Sequence, residues 1–262
     1  MKAPQYNQSW SDEVKAVYQH DIEEIWDPGL APHLWNQYHN HLEIYCGLAG
    51  EEPKNILDIG CAQATLALTL AEKGHRVTAF DIRQPFLDYA KSRYTHGDIS
   101  FVCGNALELE LKEKFDIIFA NQILEHLVYP VEFTLNLRKS LKPGGLLVMS
   151  TPNGHYIKNS LQSFAELGDP QKWEHMQFTA DGDGHFFAYH DVELKKILNS
   201  AGLKHSKITW FETPWISGHM KVRYLHKYLP SGLIQFLDQL TLMFPFMAKR
   251  LSHQLLAIGR VD

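Results

Sequence analysis

Residues 55–151 hold five short apolar runs separated by stretches of helical composition, and this alternation constrains the fold more than any other feature. Asn55-Ile56-Leu57-Asp58-Ile59-Gly60 is stopped by its glycine and reads as a strand buried on both faces. Residues 76–81, 99–103, 115–120 and 146–151 read the same way, with helices expected at 64–73, 85–94 and 131–141. Strands that alternate with helices at this spacing build a mostly parallel sheet with helices on both faces. A further helix at 191–201, closed by Gly202, precedes two more expected strands at 207–212 and 254–261.

Composition narrows the class. The chain has 262 residues, 45% hydrophobic and 21% charged, which excludes a disordered chain, a collagen and a coiled coil. A net charge of -5 gives no electrostatic reason for nucleic-acid binding. Cys46, Cys61 and Cys103 are widely spaced, which disfavours a disulfide framework and a cysteine zinc site and fits a reducing cytoplasmic compartment. Neither an apolar signal core nor a run of ~20 apolar residues is present in the sequence.

The organisation expected is a helical cap over residues 1–50, carrying Trp10, Tyr18 and Trp26, and a main domain over 51–262. Two insertions interrupt that domain, at 154–190 and 212–252. The first is irregular and dense in His and aromatics; Gly154, Gly168, Gly182 and Gly184 punctuate it, which suits a lid. In the second, residues 222–251 are expected to pack an apolar helical stripe between the last two strands and roof a pocket. A membrane-surface helix is the alternative there.

The chemistry concentrates at the strand ends. The first turn, Asp58-Ile59-Gly60-Cys61-Ala62-Gln63-Ala64, keeps one glycine of the dinucleotide pattern G-x-G-x-x-G, with Ala62 and Thr65 in the other two places. A pyrophosphate is therefore disfavoured, and Asp58 suits a cationic ligand. Asp81 closes the second strand, where a carboxylate accepts from the two hydroxyls of a ribose. Gly104-Asn105-Ala106 follows the third strand, where an amide and a backbone N–H can read an adenine edge.

This ordered set resembles the class I S-adenosylmethionine-dependent methyltransferases. The matching segments are 56–61, Ala79-Phe80-Asp81-Ile82, Gly104-Asn105-Ala106 and Phe115-Asp116-Ile117-Ile118, then Leu124-Glu125-His126-Leu127, Lys142-Pro143-Gly144-Gly145 and Ser150-Thr151-Pro152-Asn153. The branch most similar contains the ubiquinone-biosynthesis O-methyltransferases and small-molecule methyltransferases. One departure is that Ala62 and Ala64 stand where family members carry glycine. The resemblance implies an α/β fold with a doubly wound, mostly parallel seven-stranded sheet, and S-adenosylmethionine as cofactor. It also implies that Asp58 and Gly60 flank the methionine part and Asp81 the ribose, with Cys61 and Ile82 beside them in the cofactor wall. Asn105 and Ala106 would face adenine, and Asn121 and Gln122 the methionine amino group and the sulfonium.

Methyl transfer from a sulfonium needs in-line positioning and removal of the acceptor's proton, for which His is suited near neutral pH. His126, His155 and His185 are the candidates. Relatives that hold a divalent ion use Glu-x-x-Glu-His, but this chain reads Gln122-Ile123-Leu124-Glu125-His126, so no metal is expected. The expectation is O-methylation of a small hydroxylated or aromatic acceptor. The alternatives are a non-catalytic S-adenosylmethionine-binding protein on a degenerate methyltransferase fold, a metal-dependent relative, and, more weakly, a nicotinamide dehydrogenase.

Overall fold

The computed structural model describes residues 1–108, 113–177 and 185–262, and of Met176 the backbone alone. Gly182 and Gly184 of the expected lid lie outside the described residues.

The apolar runs pair into one sheet of seven strands among the described residues, in the order β3-β2-β1-β4-β5-β7-β6. These are β1 (Asn55–Ile59), β2 (Arg76–Asp81), β3 (Asp98–Cys103), β4 (Phe115–Asn121), β5 (Leu141–Pro152), β6 (Lys204–Phe211) and β7 (Gln254–Arg260). β1 to β5 run parallel, whereas β7 is antiparallel between β5 and β6. β5 starts five residues before the expected 146, because Leu141 already pairs with Phe115 ahead of a register shift.

Residues of alternating parity feed two cores. Leu57, Ile59, Ile118, Leu147 and Met149 face α5 (Pro130–Lys139) and α6 (Asp191–Ser200), joined by Phe115 from before the register shift in β4. Ile56, Val77, Ile117, Phe119 and Val148 face α2 (Pro32–Ala49) and α3 (Thr65–Glu72). A strand with side chains buried both ways loses the alternation of a half-exposed strand, which is why these runs read as continuous.

The N-terminal residues form α1 (Asp12–Asp21), a π-helical turn at Ile22–Trp26 and α2. Trp10, Val14, Tyr18 and Ala62 cluster with Phe86 and Tyr89 of α4 (Gln84–Arg93). Arg93 anchors the cap electrostatically. It is fully buried, pairs with Asp21 at 2.8 Å, and donates to the Gln63 carbonyl and the Thr65 hydroxyl at 2.9 and 3.0 Å. The cap is thus tied to the loop that follows β1.

Between β6 and β7 lie a short helix α7 (Pro214–Ser217), then α8 (Ser231–Leu242) and α9 (Pro245–Leu251). Here the expectation for residues 222–251 is corrected. The inward face of α8 is Ile234, Asp238 and Thr241, while Leu233, Phe236 and Leu240 point outward. Asp238 is held inside because its carboxylate accepts from the Thr213 N–H at 2.9 Å.

Candidate active site

In this strand order β1 and β4 lie side by side while their connections leave in opposite directions, which opens a crevice at their carboxyl ends. Asp58, Gly60 and Asp81 converge at that crevice. Gly60 has φ +68°, and a Cβ there would come within 2.7 Å of Ile123, so the close approach needs glycine. Ala62 and Ala64 hold φ +47° and +55°, the left-handed backbone that glycine adopts freely. The two alanines thus hold in this turn a backbone that glycine would adopt without strain.

Asp81 fastens the turn. One carboxylate oxygen accepts from the Ala62 N–H at 2.8 Å and the other from the Arg83 N–H at 2.9 Å. Arg83 also lies over the Phe86 ring at 3.8 Å and faces Glu13 of α1 at 3.6 Å. Burial raises the Asp58 pKa to about 7, and the neighbouring Asp81 adds to the shift. The Cys61 thiol is pushed up by the same causes. Such a carboxyl is poised for a cation.

The remaining expected cofactor residues are placed as follows. Ile82 is 45% exposed beside the end of β2. Asn105 caps a single turn, its side-chain Oδ1 accepting from the Leu107 N–H at 3.0 Å, and Ala106 is buried next to it. The Asn121 side chain accepts from the Ser150 hydroxyl at 3.2 Å. Gln122, at φ +53°, turns its amide away toward β5 and β7, donating to Ser150 at 3.1 Å and to Gln254 at 2.9 Å.

Three candidate histidines sit in two places. His126 and His185 face one another edge-on at 5.2 Å between ring centres. Beside them Glu125 is fully buried, with its pKa raised to about 8 by burial. One of its oxygens accepts from Thr151 at 3.1 Å; the other has no hydrogen-bond donor and lies 3.8 Å from His185 Nε2. Glu125, His126 and His185 each offer a ligating atom, all within 4.8 Å of one another. One carboxylate with two imidazoles is the donor set of a transition metal more than of magnesium. His155 lies apart. It pairs with Asp191 at 3.1 Å and stacks on His190 at 4.0 Å, at the start of α6.

A cleft of about 330 Å³ opens beyond the end of β5, with Asn153, Tyr156, His185, His219 and His253 among its walls. Asn153 shapes it: its amide donates to the carbonyls of Lys249 and Ser252 at 2.9 and 2.8 Å, pinning the end of α9 and the entry to β7. Of the three expected catalytic histidines, His185 lines this cleft.

The cleft's other wall was not singled out from sequence. Glu212, fully buried and at φ +63°, is gripped by His41 at 2.7 Å, Gln37 at 2.8 Å and His253 Nδ1 at 3.0 Å. Burial by itself would raise its pKa, but the hydrogen bonds and charges of His253 and His41 hold it down at about 2. His219 stands 4.5 Å from His253, perpendicular to it, and shares a hydrogen bond with the Tyr156 hydroxyl at 3.0 Å. Burial lowers the His219 pKa. The buried carboxylate against Nδ1 fixes the orientation of the His253 ring, and the Gln254 amide nitrogen lies 3.3 Å from the same ring nitrogen. A usable signal existed: Glu212 ends one expected strand and His253 precedes the next, and Phe211 pairs with Gln254.

A methyltransferase-domain family model matches residues 32–207. The chain belongs to that family. Its relatives include the ubiquinone biosynthesis O-methyltransferase of Rickettsia bellii, 35% identical over 100 residues covering 37% of this chain and 42% of that protein. The protein of the same name from Coxiella burnetii is 31% identical over 157 residues, 57% of this chain and 65% of that one. The chain thus spans less than half the length of the first of these relatives. Among solved structures, a SAM-dependent methyltransferase from Archaeoglobus fulgidus superposes with a TM-score of 0.57 at 16% identity, covering 93% of this chain and 99% of that one. The magnesium protoporphyrin IX methyltransferase of Synechocystis, solved with bound SAH, gives 0.58 at 12% identity and covers 94% of each chain. These structural likenesses show the fold.

Proposed function

We propose that this protein transfers the methyl group of S-adenosylmethionine to an oxygen of a small hydroxylated or aromatic acceptor. The observation that carries the reading is the buried carboxylate pair, Asp58 and Asp81, set at the switch point and joined by a left-handed turn. Asp81 accepts one backbone N–H on each oxygen, and Arg83 Nε faces Oδ1 at a longer 3.5 Å, so the carboxylate keeps acceptor capacity for the hydroxyls of a ribose, on Oδ2 above all. Asp58, held near neutrality by burial, gains its charge beside a cation, and the donor's ammonium and sulfonium supply one. A pyrophosphate would meet two acids there instead, which weighs against a nicotinamide cofactor. The relatives named for O-methylation of a ubiquinone precursor support an oxygen acceptor.

In the transfer the sulfur–methyl bond breaks, an oxygen–methyl bond forms, and S-adenosylhomocysteine leaves as a neutral thioether. The hydroxyl proton has to go to a base. His185, His219 and His253 all line the cleft, and His253 is the one oriented by a buried anion. We assign it the base role, with Glu212 as its positioning residue. His126, His155 and His185 keep the roles of neighbours: the first and third around Glu125, the second at α6. A second reading is favoured by the unpartnered Glu125 oxygen beside His126 and His185: a divalent ion bound there would lower the acceptor hydroxyl's pKa. Loss of turnover on chelation, restored by manganese or zinc, would support it.

Calorimetry with S-adenosylmethionine, S-adenosylhomocysteine and NADH tests the main reading. Both sulfur compounds should bind, and Asp81→Ala should weaken them by about 2–3 kcal/mol, the scale of charge-assisted hydrogen bonds. Binding of NADH alone would overturn it.

A further inference from the structure

Helix α8 is built inside out. Its buried face carries one aliphatic side chain, Ile234, beside an aspartate and a threonine, while Leu233, Phe236 and Leu240, followed by Met243, stand toward solvent. A surface helix normally buries its apolar stripe, as α6 does with Leu194, Ile197 and Leu198. The exposure continues past the helix: Phe244 is 53% and Phe246 80% exposed. Of the seventeen large apolar side chains exposed among the described residues, eleven fall between residues 220 and 247, on α8, α9 and the turns before them, and α8 packs against both α7 and α9.

The charges around the patch have one sign. Residues 213–252 contain five Lys and Arg and a single acid, Asp238, which is buried, in a chain whose net charge is -5. Lys221, Arg223, Lys227 and Arg250 are exposed, and Lys249 is half-exposed beside Asp191. Arg223 and Lys227 lie against Tyr224 and Tyr228, rings with a polar tip suited to a boundary between water and apolar medium. A second copy of the chain would bring the same basic rim against itself, which disfavours a two-fold self-contact. An anionic surface complements it.

We propose that α8, α9 and the turns at 220–228 seat this protein on an anionic lipid bilayer, apolar side chains in the headgroup boundary and the basic rim on the lipid charges. No helix is long and apolar enough among the described residues to cross a membrane, so the contact is interfacial. Its position matters for access. A second cleft of about 330 Å³, lined by His33, Gln37, Lys221 and Arg223, shares His219 and Met220 with the acceptor cleft. Both therefore open at the edge of the seated surface, where a lipid-soluble acceptor enters without crossing water.

Vesicle sedimentation of the full chain tests this independently of the methyl-transfer reading. With vesicles of phosphatidylcholine and phosphatidylglycerol in equal parts, the protein should sediment at least about tenfold more strongly than with phosphatidylcholine alone, and less as salt rises. Phe236→Glu with Phe246→Glu, both on exposed positions, should abolish sedimentation while far-ultraviolet dichroism and S-adenosylmethionine affinity stay unchanged. Val192→Glu, an exposed apolar position on α6, should leave it intact. A wild type that stays in the supernatant with anionic vesicles overturns the proposal. So does a dimer, seen by analytical ultracentrifugation, that the double variant dissolves while vesicle binding is unaffected, since a second copy would then occupy the patch.

Discussion

At the β1–β2 end of the sheet, the candidate groups come from two short segments, residues 58–64 and 81–83, on consecutive strands. At the β5–β6 end, Glu212 and His253 meet His41 and Gln37 of α2, brought from opposite ends of the chain. The first end is specified by rules that follow the chain locally: a strand that stops in a left-handed glycine, and an acid that ties the turn to the next strand. The second is assembled only when β6, β7 and α2 are packed. The first end thus suits a cofactor common to a family, and the second a task particular to this chain.

Substitutions should separate the two ends, the largest effect falling on the assembled one. His253→Ala is expected to lower turnover ~10²–10⁴-fold while the S-adenosylmethionine dissociation constant holds. Glu212→Gln should cost about 10- to 100-fold in kcat, with KM little changed and part of the loss recovered by Glu212→Asp. Melting curves taken alongside control for the loss of a buried anion with several donors. If His253→Ala keeps its turnover and His185→Ala loses it, the base belongs beside Glu125 instead.

Legibility follows the same division. The positions of β1 to β4 and the placing of Asp58, Gly60 and Asp81 at strand ends were readable because two-sided burial leaves continuous apolar runs and each of these residues sits where a run stops. Gln122 was readable as a strand-end residue, but not the turn of its side chain toward Gln254, which depends on β7. Helix α8 was read for the right element and the wrong face. Periodicity reports that an apolar stripe exists, and the tie between Asp238 and Thr213, set by tertiary packing, decides which way it points. Of the cleft histidines, His185 was singled out from sequence, whereas His219 and His253 were hidden among 15, with no local spacing to join them to each other or to His41.

A smaller effect, in pH, sharpens the description of the local end. The folded-state pKa of Asp58 is raised from 3.8 to about 7, so the free protein holds a proton there that a cationic ligand must displace. Binding of S-adenosylmethionine should therefore tighten as pH rises toward 7, by up to about tenfold per unit, with proton uptake by the buffer. The window from pH 5.5 to 7 lies below the ligand's own amino titration, expected near ~8. Calorimetry in two buffers of different ionisation enthalpy measures the released proton. Asp58→Asn should remove the slope, and a slope that survives would assign the proton elsewhere.

The smallest effect concerns the two alanines of the turn. Each holds a left-handed backbone that costs an L-residue roughly 1–2 kcal/mol, which glycine would relieve. Glycine also loosens the unfolded chain, at roughly 0.5–1 kcal/mol, so the net gain is between zero and about 1.5 kcal/mol. The two sites then differ by their methyl groups. Ala62 is half-buried beside α1, whereas Ala64 is fully buried in the core beneath α3, where losing a methyl costs ~0.8 kcal/mol. Ala62→Gly should raise stability by about 0.5–1 kcal/mol in urea unfolding, and Ala64→Gly should leave it unchanged. Equal gains at both sites would mean that the Ala64 methyl packs to no effect. No gain at either would mean that the cap, through Arg93 and the Gln63 carbonyl, fixes this turn so firmly that relieving its strain is offset by looser packing around it.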